Sequence, residues 1–323
     1  MLKIYKPTII IIGSPKTIFY EIFFKSLKIK SYKSPLILIS NLKTLKLEMQ
    51  KFNFKKKINS IELNDLSKDK TYNHQINIIN VNLENSTDAK KNLVMINKYI
   101  KQCFQIAFKI IKKGYAYKVL NGPINKKQFL NKKFLGITEY ISDKFTKKKI
   151  GMLIYNKKLS VCPVTTHLPI RLVSRKITKK LIEEKIDVID NFFKKNLKLK
   201  SKIAVVGLNP HCESILKYNE DEKIISAAIR NRSNKGINVK GPYSADTIFL
   251  KANREKFNVI LGMYHDQVLT PLKALFEYDA INITMGLPFL RVSPDHGPNE
   301  KMIGKNKSNP LSLVRALEFL DKN

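Results

Sequence analysis

The chain of 323 residues is 43% hydrophobic, which excludes global disorder and allows one large or two ordinary domains around a sizeable core. Its 60 Lys+Arg outnumber 26 Asp+Glu and give a formal charge of +34, spread in short runs from Lys55-Lys56-Lys57 to Lys194-Lys195. Such diffuse charge predicts a solvated cationic surface and an anionic small substrate, and excludes a dedicated nucleic-acid face from the leading readings.

Thr8 to Ile12 reads as a first strand, being too short for a signal-peptide core or a membrane span. Gly13-Ser14-Pro15 turns the chain, and Phe19 to Leu27 has helical apolar spacing, the opening of a βαβ unit. Leu36 to Ser40 is a second strand. Leu45 to Lys91 is polar and weakly patterned apart from a strand over Ile76 to Val81, and its His74 reads as a surface residue. From Asn92 to Lys113, Met95, Tyr99, Cys103, Ile106 and Ile110 recur every three or four residues, predicting a core helix that Gly114 stops.

Beyond Tyr117 the pattern alternates. It predicts a helix over Lys179 to Lys195, a strand before His211, a helix over Asp221 to Arg232 and a strand before His265. A strand over Asn282 to Met285 and a helix over Leu311 to Leu320 follow. Alternation of this kind implies an α/β protein, with mainly parallel twisted sheets and helices on both faces. There is no internal repeat and no Pro/Gly/Ser-rich linker, so two lobes sharing a crevice are expected, approximately 1–130 with 285–323, and 131–284. Cys103, Cys162 and Cys212 have no paired spacing, which argues against a disulfide framework or a cysteine-rich zinc module and fits a reducing cytoplasm.

Three of the five histidines follow short β-branched apolar runs: His167 after Leu159 to Thr166, His211 after Ile203 to Pro210, and His265 after Val259 to Tyr264. Residues just past strand ends line the ligand crevice of an α/β protein. Three imidazoles converging there would form an open metal site, with a position left for water or substrate. Any one of them alone is an ordinary hydrogen-bonded loop residue; the shared address of all three is what points to a metal. Asp246 and Asp266 lie beside the same segments as catalytic candidates. Either could relay a proton, although orienting a ligand imidazole is the commoner task for such a carboxylate. No Gly-x-Gly-x-x-Gly follows any strand, which disfavours a standard Rossmann cofactor site.

Eight segments carry a specific resemblance. They are Asn121-Gly-Pro-Ile-Asn-Lys126, Gly136-Ile-Thr-Glu139, Thr165-Thr-His-Leu-Pro169, Gly207-Leu-Asn-Pro-His211, Gly241-Pro-Tyr-Ser-Ala-Asp-Thr247, Met263-Tyr-His-Asp-Gln267, Asn282-Ile-Thr-Met-Gly-Leu-Pro-Phe289 and Ser293-Pro-Asp-His-Gly297. In order and approximate spacing the chain resembles, over roughly its last two-thirds, the 4-hydroxythreonine-4-phosphate dehydrogenases of pyridoxal phosphate (vitamin B6) biosynthesis. The resemblance implies a two-lobed fold similar to isopropylmalate and isocitrate dehydrogenases. It also implies a cytoplasmic homodimer whose active site lies in the cleft between lobes and is completed by the partner subunit, with no specific nucleic-acid or membrane partner. Metal ligands would fall on His167, His211 and His265, and substrate contacts on Thr138, Lys273, Asn282 and Arg291. Ser293 to Gly297, with Ile303-Gly-Lys305 and Asn309-Pro310, resembles the loop that holds the adenosine half of NAD in β-decarboxylating dehydrogenases, which puts His296 and Gly297 on the cofactor side.

The implied reaction is oxidation of 4-phosphohydroxy-L-threonine by NAD⁺, with NADP⁺ as the alternative. Loss of CO₂ then gives 3-amino-2-oxopropyl phosphate. One divalent ion is implied, zinc first and magnesium or cobalt as alternatives, because neutral imidazoles leave its charge available to acidify a hydroxyl and stabilise an enolate. Arg291 offers a planar fork for phosphate or carboxylate oxygens and Lys273 a movable point charge.

Four departures from the family pattern stand out. The glycine-rich turn after the first strand is here Pro15-Lys-Thr-Ile-Phe-Tyr-Glu21, the family's histidine before Thr138 is Ile137, Cys212-Glu-Ser-Ile-Leu216 replaces a glycine-rich segment, and the residues after Gly297 lack the usual Asp and Ala. They leave two further readings open. One is a dehydrogenase of the same fold acting on another phosphorylated hydroxy acid, and the other a degenerate homologue that binds polyanions without catalysis.

Overall fold

Ile9, Ile10 and Ile11 are all fully buried, as a strand covered on both faces requires, and each contributes roughly 1.5–3 kcal/mol of apolar burial. The computed structural model describes residues 5–68, 71–84, 86–125, 129, 136–146, 149–213 and 219–323, without the side chains of Asp65, Ser67 and Lys68. The chain forms two units, one from residues 1–137 with 288–323 and the other from residues 138–287.

In the first unit six strands pair in the order β3 (Ile58–Ser60), β4 (Ile76–Asn80), β2 (Leu36–Ser40), β1 (Thr8–Ile11), β5 (Lys118–Asn121) and β12 (Leu290–Pro294), every pair parallel. The helix Ala89–Lys112 starts three residues earlier than its apolar spacing predicts, because the Asp88 side chain accepts from the Lys91 amide at 2.9 Å and caps it. The stretch expected to be weakly patterned contains the helix Leu42–Lys51, capped by Asn41 and burying Leu45 and Met49 one turn apart. After the turn that follows the first strand, Phe19 and Tyr20 are buried in the core and open the helix Phe19–Ile29.

The second unit orders its strands β11 (Ile281–Met285), β6 (Gly151–Tyr155), β7 (Ser160–Pro163), β10 (Val259–Gly262), β8 (Ile203–Val206) and β9 (Val239–Tyr243). The pairs β11/β6 and β6/β7 are antiparallel and the remaining three are parallel. The expected α/β class with mainly parallel sheets is therefore borne out, with two antiparallel pairs about β6 that periodicity did not reveal. Val161, Ala204, Val206, Ile260, Val268 and Leu272 form the core behind the parallel part. The helix Lys179–Phe192 continues as a π-helical turn over Phe193–Leu197, and the predicted Asp221 helix is a π-helical turn, Asp221–Ser226, leading into Ala227–Ser233.

Candidate functional site

Strands β7, β10 and β8 are parallel neighbours with β10 in the middle, and each is followed by one of the three histidines. The loops leaving these strands are tied together. Past β7, the Val164 amide donates to the Gly262 carbonyl at 2.7 Å, and the Thr165 hydroxyl donates to the Met263 carbonyl at 2.8 Å. Past β10, the Gln267 side chain accepts from the Met263 amide at 2.7 Å and donates to the Gly207 carbonyl, past β8, also at 2.7 Å.

The segment that delivers His211 is organised by a buried carboxylate. Asp221 accepts from the Leu208 amide at 2.6 Å, the Asn209 amide at 3.1 Å and the Asn209 side-chain amide at 2.8 Å. His211 and Cys212 both take the left-handed conformation, at φ 57° and 62°, which costs a non-glycine residue energy and requires such fixing. Gly207 is forced by close approach: a Cβ there would lie 2.6 Å from both the Asp221 carboxylate and the Cys212 sulfur.

Of the three imidazoles, those of His167 and His265 face each other, with ring centroids 6.0 Å apart and planes inclined at 37°. Two rings at this separation are on the scale of a shared ion, whose nitrogen ligands sit at about 2.0–2.1 Å. His265 Nδ1 lies 2.6 Å from Asp266 Oδ1, which leaves Nε2 as the ligand atom, the arrangement seen where a carboxylate orients a metal-binding imidazole. Among the described residues of a single chain, however, no group of three His, Cys, Asp or Glu side chains gathers closely enough to hold a metal ion. The donor chemistry fits a divalent cation, and of the three imidazoles those of His167 and His265 are in ring contact.

Asp246 is exposed, accepts from the Ser244 hydroxyl at 2.6 Å, and is held below the usual carboxylate range by that bond and by the neighbouring His211. Burial, aided by Asp221, pushes the Cys212 thiol up, so it is not poised as a nucleophile.

The remaining candidates are distributed between the units. Thr138 is partly buried in the first turn of the helix Ile137–Phe145, and Lys273 is partly buried on the helix His265–Phe276. Asn282, on β11, has its side-chain oxygen buried with no hydrogen-bond partner, the kind of orphan acceptor that a ligand donor satisfies. These belong to the second unit, with the histidines. In the first unit, Arg291 on β12 is 3% exposed and its Nε donates to Asn121 Oδ1 at 2.8 Å. His296 Nδ1 lies 3.0 Å from the Gly297 carbonyl oxygen, also in the first unit. Ile137 is buried at 6% exposure, and His74 is exposed as expected. Lys126 and Ser214 to Leu216 lie outside the described residues.

Two residues that organise the site carry no role in the sequence reading. Gln267 stands inside one of the quoted motifs, but its bond to a carbonyl 60 residues away has no local signature. Asp221 was legible only as an acidic residue opening a helix, a common position for a carboxylate.

The family described as pyridoxal phosphate biosynthetic protein PdxA matches residues 31–320. The chain is 34% identical over 317 residues to a 4-hydroxythreonine-4-phosphate dehydrogenase of Sulfurihydrogenibium sp. (strain YO3AOP1), covering 96% of each. It is 33% identical over 254 residues to a D-threonate 4-phosphate dehydrogenase of Pectobacterium atrosepticum, covering 76% of each. A 4-hydroxythreonine-4-phosphate dehydrogenase structure from Klebsiella pneumoniae superimposes with a TM-score of 0.80 at 27% identity over 98% of both chains.

Proposed function

The chain belongs to the pyridoxal phosphate biosynthetic protein PdxA family, a family of dehydrogenases, and from that premise we propose that it oxidises and decarboxylates 4-phosphohydroxy-L-threonine to 3-amino-2-oxopropyl phosphate. The proposal includes NAD⁺, one divalent cation and a cytoplasmic homodimer that completes the ligand set around each ion. The observation that carries it is the placement of His167, His265 and His211 after three adjacent parallel strands, with the first two rings facing each other.

When bound, a divalent ion supplies a Lewis acid that favours loss of the hydroxyl proton and stabilises the charge left by decarboxylation, and NAD⁺ supplies the hydride acceptor. The chain's own residues bind and orient. Arg291 and Lys273 meet the phosphate and carboxylate charge, and Arg291 is already fixed through Asn121. Asn282 offers its unpartnered oxygen to a substrate amine or hydroxyl donor, with Thr138 as a further contact. Asp266 holds His265 through Nδ1, Asp246 keeps a negative charge beside His211, and His296 and Gly297 lie on the adenosine side of the cofactor.

A second reading is favoured by Ile137 and by the D-threonate 4-phosphate dehydrogenases among the relatives, namely a phosphorylated hydroxy acid that lacks the amino group. NADH formation with 4-phosphohydroxy-L-threonine and with D-threonate 4-phosphate, compared by kcat/KM, decides between them. A higher value for the amino acid supports the proposal, and a higher value for the threonate overturns its substrate.

A further inference from the structure

We infer that Gln267 is a positioning residue that sets the His211 segment against the His265 helix, acting with Asp221 as a two-sided clamp. The inference rests on the metal-dependent reading above and names the device that would hold two ligand-bearing segments of one chain in register.

One carboxamide makes both bonds. Its oxygen takes the Met263 amide, which lies between the end of β10 and His265, and its nitrogen reaches the Gly207 carbonyl, at the start of the loop that ends in His211. Gly207 is also pinned from the other side, because its amide donates to the Tyr243 carbonyl at 2.9 Å while Asp221 gathers the next two amides. The fit allows no slack at β10 either: a Cβ on Gly262 would lie 2.3 Å from Val268 and 3.0 Å from the Gln267 oxygen. β8 and β10 are paired in register, and past their ends this side chain bridges the two histidine-bearing segments.

The carboxamide satisfies both partners, since the Met263 amide needs an acceptor and the Gly207 carbonyl a donor. Gln267→Glu keeps the acceptor and loses the donor; Gln267→Ala loses both. The histidines themselves are untouched in either variant.

Two readouts on the full-length protein separate the clamp from the metal reading: amide hydrogen exchange without metal, and Co²⁺ binding followed by its visible absorption. In the glutamate variant, Leu208 and Asn209 should exchange about tenfold faster or more while Met263 stays protected, and in the alanine variant all three should exchange faster. Co²⁺ affinity should fall about 10–100-fold in both, the range for removing groups that orient ligands, with a changed absorption spectrum. Exchange at Leu208 and Asn209 unchanged in both variants overturns the clamp, whatever the affinity does. Faster exchange with wild-type Co²⁺ affinity and spectrum also overturns it as a positioning device. If the wild-type protein takes up no Co²⁺, the metal reading fails and the exchange data alone decide whether Gln267 couples the two segments.

Discussion

His265 Nδ1 and Asp266 Oδ1 lie 2.6 Å apart in the first turn of the helix that follows β10, so the ring is oriented by its own sequence neighbour. The Asp266 side chain is 78% exposed, which makes its bond to His265 the feature that ties it to the site. A carboxylate in this place fixes the tautomer and the orientation of the imidazole.

Asp266→Asn should therefore weaken divalent-metal binding by about 10–100-fold while leaving the melting temperature close to wild type, since the side chain is exposed. Competition titration with a zinc-binding dye measures the first and a thermal melt the second. Unchanged affinity would remove Asp266 from the support of His265.

Asn282 provides a test that separates stability from function. Its buried oxygen has no partner, so Asn282→Leu, which removes an unsatisfied acceptor at similar volume, should leave stability unchanged or raise it by up to about 1 kcal/mol. The same change should lower kcat/KM at least tenfold, about 1.4 kcal/mol, if a substrate donor meets that oxygen. A destabilised variant with normal kcat/KM would make Asn282 a structural residue.

Ile137 is buried, so Ile137→His should cost about 1–3 kcal/mol of stability by burying a polar ring. If that ring reaches substrate, kcat/KM for 4-phosphohydroxy-L-threonine should rise, by ~1.5–3 kcal/mol at most. No change on any phosphorylated hydroxy acid would place position 137 outside the recognition surface.

The cysteines predict a pH dependence. Burial pushes both the Cys103 and the Cys162 thiols up from 9.0 to about 12, which favours the neutral thiol in the folded state. The folded pKa exceeds the unfolded one, so the stability these groups carry is fully present below about pH 8.5 and is lost as pH rises toward 12. Urea melts at increasing pH should show that decline, and a thiol reagent at mildly alkaline pH should modify partly exposed Cys212 before the other two. Equal modification rates at all three would contradict the burial assigned to Cys103 and Cys162.

The strands that lead to the histidines were legible because buried parallel strands read as continuous apolar runs, as Val259–Gly262 and Ile203–Val206 do. The helix Leu42–Lys51 was not, since lysines at 43 and 46 leave only Leu45 and Met49 buried, too few positions to establish a period. The antiparallel direction of β6 was not legible either, since Gly151–Tyr155 is almost wholly buried and lacks the alternation that marks a half-exposed antiparallel strand. In the site, residue types were visible and couplings were not. The facing of His167 and His265 and the reach of Gln267 to Gly207 join residues 98 and 60 apart, respectively, and arise only when β7, β10 and β8 pair.

We propose that this chain couples hydroxyl oxidation to decarboxylation through a metal held by its strand-end histidines. The most direct test is to measure NADH and CO₂ together, from 4-phosphohydroxy-L-threonine and NAD⁺, with the full-length protein first stripped by a chelator and then given back a divalent cation. The stripped protein should give no product, and restored metal should give equimolar NADH and CO₂, with restoration lost in His167→Ala, His211→Ala and His265→Ala. Equal turnover with and without metal, or NADH without CO₂, would contradict it.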